Sequence, residues 1–159
     1  MGCCGVTTAE AVEMLEGRIP AGMEANASDI VKVAKRISSL KAEMVLEVCL
    51  GDETIAKALA PFYRPGGVVL LGRATTDQYA AFQEDLRGTF ADCLFILGGN
   101  DKRVEWDAYT RYSTLVRRGG VIVVYDVRKK EIGDMWHTLT DDATIMAWIV
   151  GGFGVLEVR

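Results

Sequence analysis

The sequence predicts an α/β domain of three layers: a mostly parallel sheet, helices on both of its faces, and an antiparallel hairpin at its end. Three observations carry this reading. Short apolar runs recur at Met44 to Cys49, Val68 to Leu71, Cys93 to Leu97 and Val121 to Tyr125. Near-continuous apolar strands of this kind are buried on both faces. Between them lie helix-patterned stretches, and alternating β and α elements imply parallel strands joined by crossovers. The last two strand-like runs, Ala143 to Val150 and Val155 to Val158, are separated by "GGFG" alone, which predicts a hairpin.

Each element follows from local chemistry. Thr7 or Thr8 caps a short helix through about Glu16, with Ala11, Val12 and Leu15 on one face. Pro20 and the glycines of "GRIPAGMEANA" break the chain into a loop. Ser28 and Asp29 cap the next helix, which carries a stripe of Ile30, Val31, Val33, Ala34 and Ile37 and ends near Leu40. After the first strand, Asp52 caps a helix that stops at Ala60, before Pro61. "RPGG" turns the chain into the second strand. Thr75 to Leu86 is helical, with Tyr79, Phe82 and Leu86 on one side. Arg103 to Val116 is a helix with Val104, Tyr112 and Leu115 inward and Trp106 packed, closed by "RRGG". Ile132 to Leu139 adds one more short helix, and Asp141-Asp142 reads as a turn. Residues 1–27 are expected to form a leader with a short helix, and residues 28–159 the α/β domain.

Composition narrows the function. The chain is 50% apolar and 25% charged, the balance of a soluble globular domain. No apolar run reaches the roughly 18 residues of a membrane span, so no membrane partner is expected. No basic region precedes an apolar stretch at the start, so no secretory signal is expected. A net charge of −4 and the lack of a basic helix face argue against nucleic acid as partner. The four cysteines, Cys3, Cys4, Cys49 and Cys93, include no Cys-x-x-Cys, and there is one histidine. Neither a disulfide framework nor a zinc site follows, no metal set is read, and a reducing cytoplasm is the expected setting. "MGCCGVTT" is near an acylation signal, but Val6 stands where that pattern needs Ser or Thr, so a plain leader is preferred.

In an open parallel sheet the ligand crevice lies beyond the carboxyl ends of the strands, where strand order reverses. The residues to weigh are Gly51, Asp52, Glu53 and Thr54, then Gly72, Arg73, Thr75 and Thr76, then Gly98, Gly99, Asn100 and Asp101, then Asp126 and Arg128. "VLEVCLGDETIAKALAPFYRPGGVVLLGR", "ADCLFILGGNDKRVEWDAYTRYSTLVRRGGVIVVYDV" and the tail "MWHTL…GGFGVLEVR" resemble the class I S-adenosylmethionine-dependent methyltransferases, in their small O-methyltransferase-like branch. The resemblance spans about residues 28–159. It implies a Rossmann-like sheet ending in a reversed hairpin. S-adenosylmethionine is the implied cofactor, with Glu47, Gly51, Asp52, Arg73, Gly98 and Asn100 around it and Asp126 beside the substrate or a metal.

Departures from the family pattern fall on binding residues. The family's first turn is Glu-x-Gly-x-Gly-x-Gly. Glu47 and Gly51 match it, while Cys49 and Glu53 replace the outer glycines that let backbone approach a ligand. An acid at the end of the family's second strand holds both ribose hydroxyls; here the sequence reads Gly72-Arg73. The "DGDH" that often ends the fourth family strand reads Leu97-Gly98-Gly99-Asn100. Only about "RGTFAD" separates the second-strand helix from Cys93, so one β-α unit of the family is missing. Hydrogen bonds to charged groups contribute about 1.5–3 kcal/mol each, so two or three losses weaken the cofactor by orders of magnitude.

Bland readings stand beside sharp ones. Cys49 and Cys93 on neighbouring strands are read as two small core residues rather than a redox or metal pair. His137 has no identifiable partner for general-base work and is read as a surface or packed residue. Two functions remain: a methyltransferase whose acceptor the sequence leaves open, or a non-catalytic binding or assembly module of the same fold, with a small molecule as the expected ligand and a homo-oligomer left open.

Overall fold

The computed structural model describes residues 31–33, 35–36, 40–49, 68–73, 76–97, 102–125, 130–140, 146–150 and 153–158. The expected leader and its helix, the Asp52 to Ala60 helix and the Asp141-Asp142 turn lie outside the described residues. Six strands form one sheet: β1 (Met44–Cys49), β2 (Val68–Arg73), β3 (Ala91–Leu97), β4 (Val116–Tyr125), β5 (Met146–Val150) and β6 (Phe153–Glu157). Their order is β2-β1-β3-β4-β6-β5. β1 runs parallel to β2 and β3, and β3 parallel to β4, while β6 is antiparallel to both β4 and β5. The expected parallel sheet with a closing hairpin is what forms, and β6 is inserted between β4 and β5.

Helices α1 (Thr76–Leu86), α2 (Lys102–Tyr112) and α3 (Lys130–Thr140) cover one face. The core on this side joins Leu46, Val48, Leu94, Ile96, Ile122, Val124 and Leu156 of the sheet to Phe82 and Leu86 of α1, Ala108 and Tyr112 of α2, and Trp136 and Leu139 of α3. These strand residues alternate with Val45, Glu47, Cys93, Phe95, Val121, Val123 and Val155, which are buried too and face the other side. Arg36, in the helical residues before β1, bonds Glu157 of β6 at 2.8 Å. Val121 and Glu157 are register partners, so that helical segment lies over the second face. The layers are therefore helix, sheet and helix.

The chain passes from β2 through α1 directly to β3. Arg87 (φ 50°) and Gly88 (φ 79°) turn it in the left-handed region, and the Arg87 N–H donates to Gln83 and Glu84 carbonyls. With residues 87–90 alone between α1 and β3, no further strand or helix is accommodated there, as the short "RGTFAD" implies.

Two expectations are corrected. The helix from Arg103 was expected to reach Val116 and end on "RRGG". Instead α2 ends at Tyr112, a 3₁₀ turn spans Ser113–Leu115, and Val116 already pairs with Ala91. The register then jumps from Ala91↔Val116 to Cys93↔Val121, so Arg117 to Gly120 form a bulge inside β4. Gly119 has φ 78°, and a Cβ on Gly120 would lie 2.7 Å from the Asp92 carbonyl oxygen. The second correction concerns facing. Val104 is 45% exposed and Trp106 37% exposed, while Glu105 is buried. On a helical wheel Val104 and Glu105 flank the stripe of Ala108, Tyr112 and Leu115 almost equally, each roughly 50° from its centre. Periodicity does not choose between the flanks; packing takes the Glu105 side.

The bulge has a structural task. Asp92 Oδ2 accepts the N–H groups of Glu43 (2.8 Å) and Met44 (2.9 Å), and Arg117 Nε donates to Oδ1 at 2.6 Å. Partial burial pushes the Asp92 carboxyl up, but the Arg117 guanidinium and the two N–H donors outweigh it and hold it below its ordinary value. A lowered folded-state pKa contributes stability above the unfolded value, and that contribution is lost as pH falls through the folded one. Asp92→Asn should therefore flatten the acid limb of the stability curve. Urea unfolding of both proteins at neutral pH and below about pH 4 checks this, the unmodified chain losing more stability on acidification. Trp136 supplies a second check. A Cβ on Gly154 would meet its ring at 2.5 Å, and buried Trp136 has no room to retreat. Gly154→Ala should cost about 1–3 kcal/mol in a denaturant melt.

Candidate functional site

Strand order fixes where a ligand can sit. β1 leads to β2 on one side, and the chain then returns to place β3 on the other side of β1. The gap between the carboxyl ends of β1 and β3 is the topological switch point. Registry makes that rim level. Arg73 is the partner of Cys49, Cys49 is the partner of Leu97, and Ile96 pairs with Val124 one residue further in. On the antiparallel side Tyr125 pairs with Phe153, which pairs with Val150. Segments 50–67, 74–75, 98–101 and 126–129 thus all leave from one edge, whose span from β2 to β4 is about 14 Å at the usual strand spacing.

The predicted site residues divide accordingly. Arg73 is the last residue of β2, beside the end of β1. Glu47 is two positions inside the end of β1, paired with Leu71 and Phe95 and fully buried. A buried carboxylate is costly in an apolar layer unless its environment satisfies it, and Glu47 does have an interaction partner within the fold. Gly51, Asp52, Glu53, Gly98, Gly99, Asn100 and Asp126 lie outside the described residues; the strands that carry them deliver their segments to the same rim.

Glu105 went unnoticed in the sequence. It lies in the first turn of α2, which follows β3, and it is fully buried. The available signal was its position on a flank of the Ala108, Tyr112 and Leu115 stripe, as near its centre as Val104. It does not join Glu47 in a two-carboxylate site. α2 packs on the Leu46 and Val48 face, and strand alternation sends Glu47 to the opposite face. Among the described residues no cluster of His, Cys, Asp and Glu is arranged to hold a metal ion.

Cys93 fits the bland reading, being fully buried. β1 and β3 are neighbours, yet Cys93 pairs with Val45 and Cys49 with Leu97. Four residues of register separate the two cysteines, about 13 Å along the strands, far beyond disulfide reach. Burial, and behind it the charge of Asp92, pushes the Cys93 thiol up, so it carries no thiolate at neutral pH. His137 lies on the exposed side of α3.

No family model matches the sequence, and no curated protein matches it. Solved structures match in shape. An O-methyltransferase from Bacillus cereus in complex with SAH aligns at TM-score 0.63 and 15% identity, over 96% of this chain and 90% of its own. The O-methyltransferase TomG from Streptomyces achromogenes, in complex with SAM, aligns at 0.63 and 12%, over 96% and 89%. The MycE methyltransferase of mycinamycin biosynthesis, with Mg and SAH, aligns at 0.65 and 14%, over 92% of this chain and 54% of its own. The fold is that of the class I S-adenosylmethionine-dependent O-methyltransferases, as the sequence resemblance implies.

Cys93 offers a check on the register. In native protein it should resist alkylation by a soluble maleimide and react once the chain is unfolded in urea, read by peptide mass mapping. Rapid native labelling at Cys93 would place it outside the core.

Proposed function

We propose that the chain is an S-adenosylmethionine-dependent methyltransferase-like protein with weakened cofactor binding, its adenosyl ligand lying across the rim between β1 and β3. One observation carries this reading: the end of β2, the end of β1 and the end of β3 are level, with Arg73, Cys49 and Leu97 in one row at the switch point. The SAM and SAH complexes of the matched structures support it. Gly51 and Asp52 belong to the first turn, Gly98 and Asn100 to the third, and Asp126 to the acceptor side. The acceptor is left open, with a small molecule as the expected ligand and the cytoplasm as the expected setting.

The residues fit the cofactor in outline and fail it at the sugar. Glu47 stands where the resemblance asks for an acid. Val68–Arg73 contains no carboxylate and ends on a cation, so it offers no bidentate acceptor to the ribose hydroxyls. That arginine, with Cys49 and Glu53 in place of glycines, favours a second reading, a non-catalytic binding or assembly module of the same fold.

Calorimetric titration with S-adenosylmethionine and with S-adenosylhomocysteine separates the two. The first reading expects dissociation constants near the millimolar range, tightened about tenfold or more by Arg73→Asp, since a recovered hydrogen bond to a charged acceptor contributes about 1.5–3 kcal/mol. No heat from either protein at millimolar ligand favours the second.

A further inference from the structure

We infer that the rim takes an adenosine ligand phosphorylated on a secondary ribose hydroxyl, with Arg73 as the residue that selects it. This rests on the proposed function in one respect, the adenosine nucleoside lying across the strand ends. Strands β1 to β5 end at this rim, on Cys49, Arg73, Leu97, Tyr125 and Val150. Among these described ends Arg73 is the one charged residue. It stands in register with Cys49, about 5 Å away at the usual strand spacing.

In nucleotide-binding sheets of this kind, an acid about 20 residues past the first turn holds the ribose hydroxyl, and an arginine nearby accommodates a phosphate ester on the same sugar. Arg73 follows Gly51 at about that spacing. β2 lies one strand outside the switch point between β1 and β3. Arg73 therefore meets a side branch of the ligand and not the part seated in the gap. A phosphate on a secondary hydroxyl is such a branch.

The chemistry of the side chains accounts for the selection. A carboxylate accepts only, so it takes the protons of two vicinal hydroxyls. A guanidinium donates only, through five N–H groups in a rigid fork. Hydroxyls satisfy that fork poorly. A phosphate monoester brings three acceptor oxygens and a charge of about −1.5 to −2, and it meets the fork with two parallel bonds. Val68 to Gly72 are apolar or glycine, so β2 supplies no carboxylate to compete for the cation or for the hydroxyls.

Calorimetric titration of the whole chain with adenosine, its 2′-, 3′- and 5′-monophosphates, S-adenosylhomocysteine and inorganic phosphate tests this. The 2′- or the 3′-monophosphate should bind about tenfold or more tighter than adenosine and than the 5′-monophosphate, the gain of hydrogen bonds between charged groups. Added salt should shrink that gain. Arg73→Gln, folded by circular dichroism, should abolish it without changing the affinity for adenosine. Arg73→Lys should keep part of it, since an ammonium supplies the charge without the fork. Secondary phosphates that bind no tighter than adenosine overturn the inference. So does a gain that survives Arg73→Gln, or one that inorganic phosphate matches on its own. S-adenosylhomocysteine tells two failures apart. Binding of it without any gain from the phosphates removes the phosphate and leaves the proposed function standing; no binding by any adenosine compound removes both.

Discussion

The Asp92 carboxylate lies where three strands meet. It accepts the N–H groups of Glu43 and Met44 at the start of β1 and the guanidinium of Arg117 in the bulge of β4, while its own backbone belongs to β3. A sheet buried on both faces tolerates no slip, because a shift of one residue would send every side chain to the other face. Here that would exchange Leu46 and Val48 for Val45 and Glu47 beneath the three helices. The brace fixes the alignment at the amino end, and strands of matched register finish level at the carboxyl end. The rim between β1 and β3 therefore depends on an ion pair at the opposite side of the molecule.

The rim shows how a scaffold and its chemistry separate. Methyltransferases of under 16% identity align with this chain in shape at TM-scores of 0.63–0.65, because layers of apolar strands and helices pack in few ways. The groups that grip a cofactor are few and replaceable. Arg73 ends β2 as a cation and still keeps its register with Cys49. Fold is held by the many residues of the core, and activity by a handful on the loops above it.

Much of the architecture was legible in the sequence. Met44 to Cys49 was bounded correctly because an apolar run between Lys41-Ala42-Glu43 and Gly51-Asp52 leaves little choice. The closing hairpin was legible from the glycines between its strands. What escaped required tertiary information. Val116 has the same local pattern as a helix end, and only Ala91 across the sheet recruits it to β4. Glu105 escaped because a buried carboxylate breaks the binary pattern that sequence reading relies on. Of the candidate site, the strand ends were legible, since topology places them. The roles of Gly51, Asp52, Gly98, Asn100 and Asp126 rest on resemblance, because loop conformation is not encoded in hydrophobic periodicity.

The position of β6 has a consequence for synthesis. β5 is made before β6, yet among the described residues its one neighbour in the sheet is β6. While the ribosome is still extending the chain, β5 has no strand to join, and the outer side of β4 is an open ladder of amides and carbonyls. The sheet closes only when Phe153–Glu157 has emerged and slid between them. A nascent chain stalled a few codons early would carry an apolar strand with nowhere to go, and that is the form chaperones and proteases recognise.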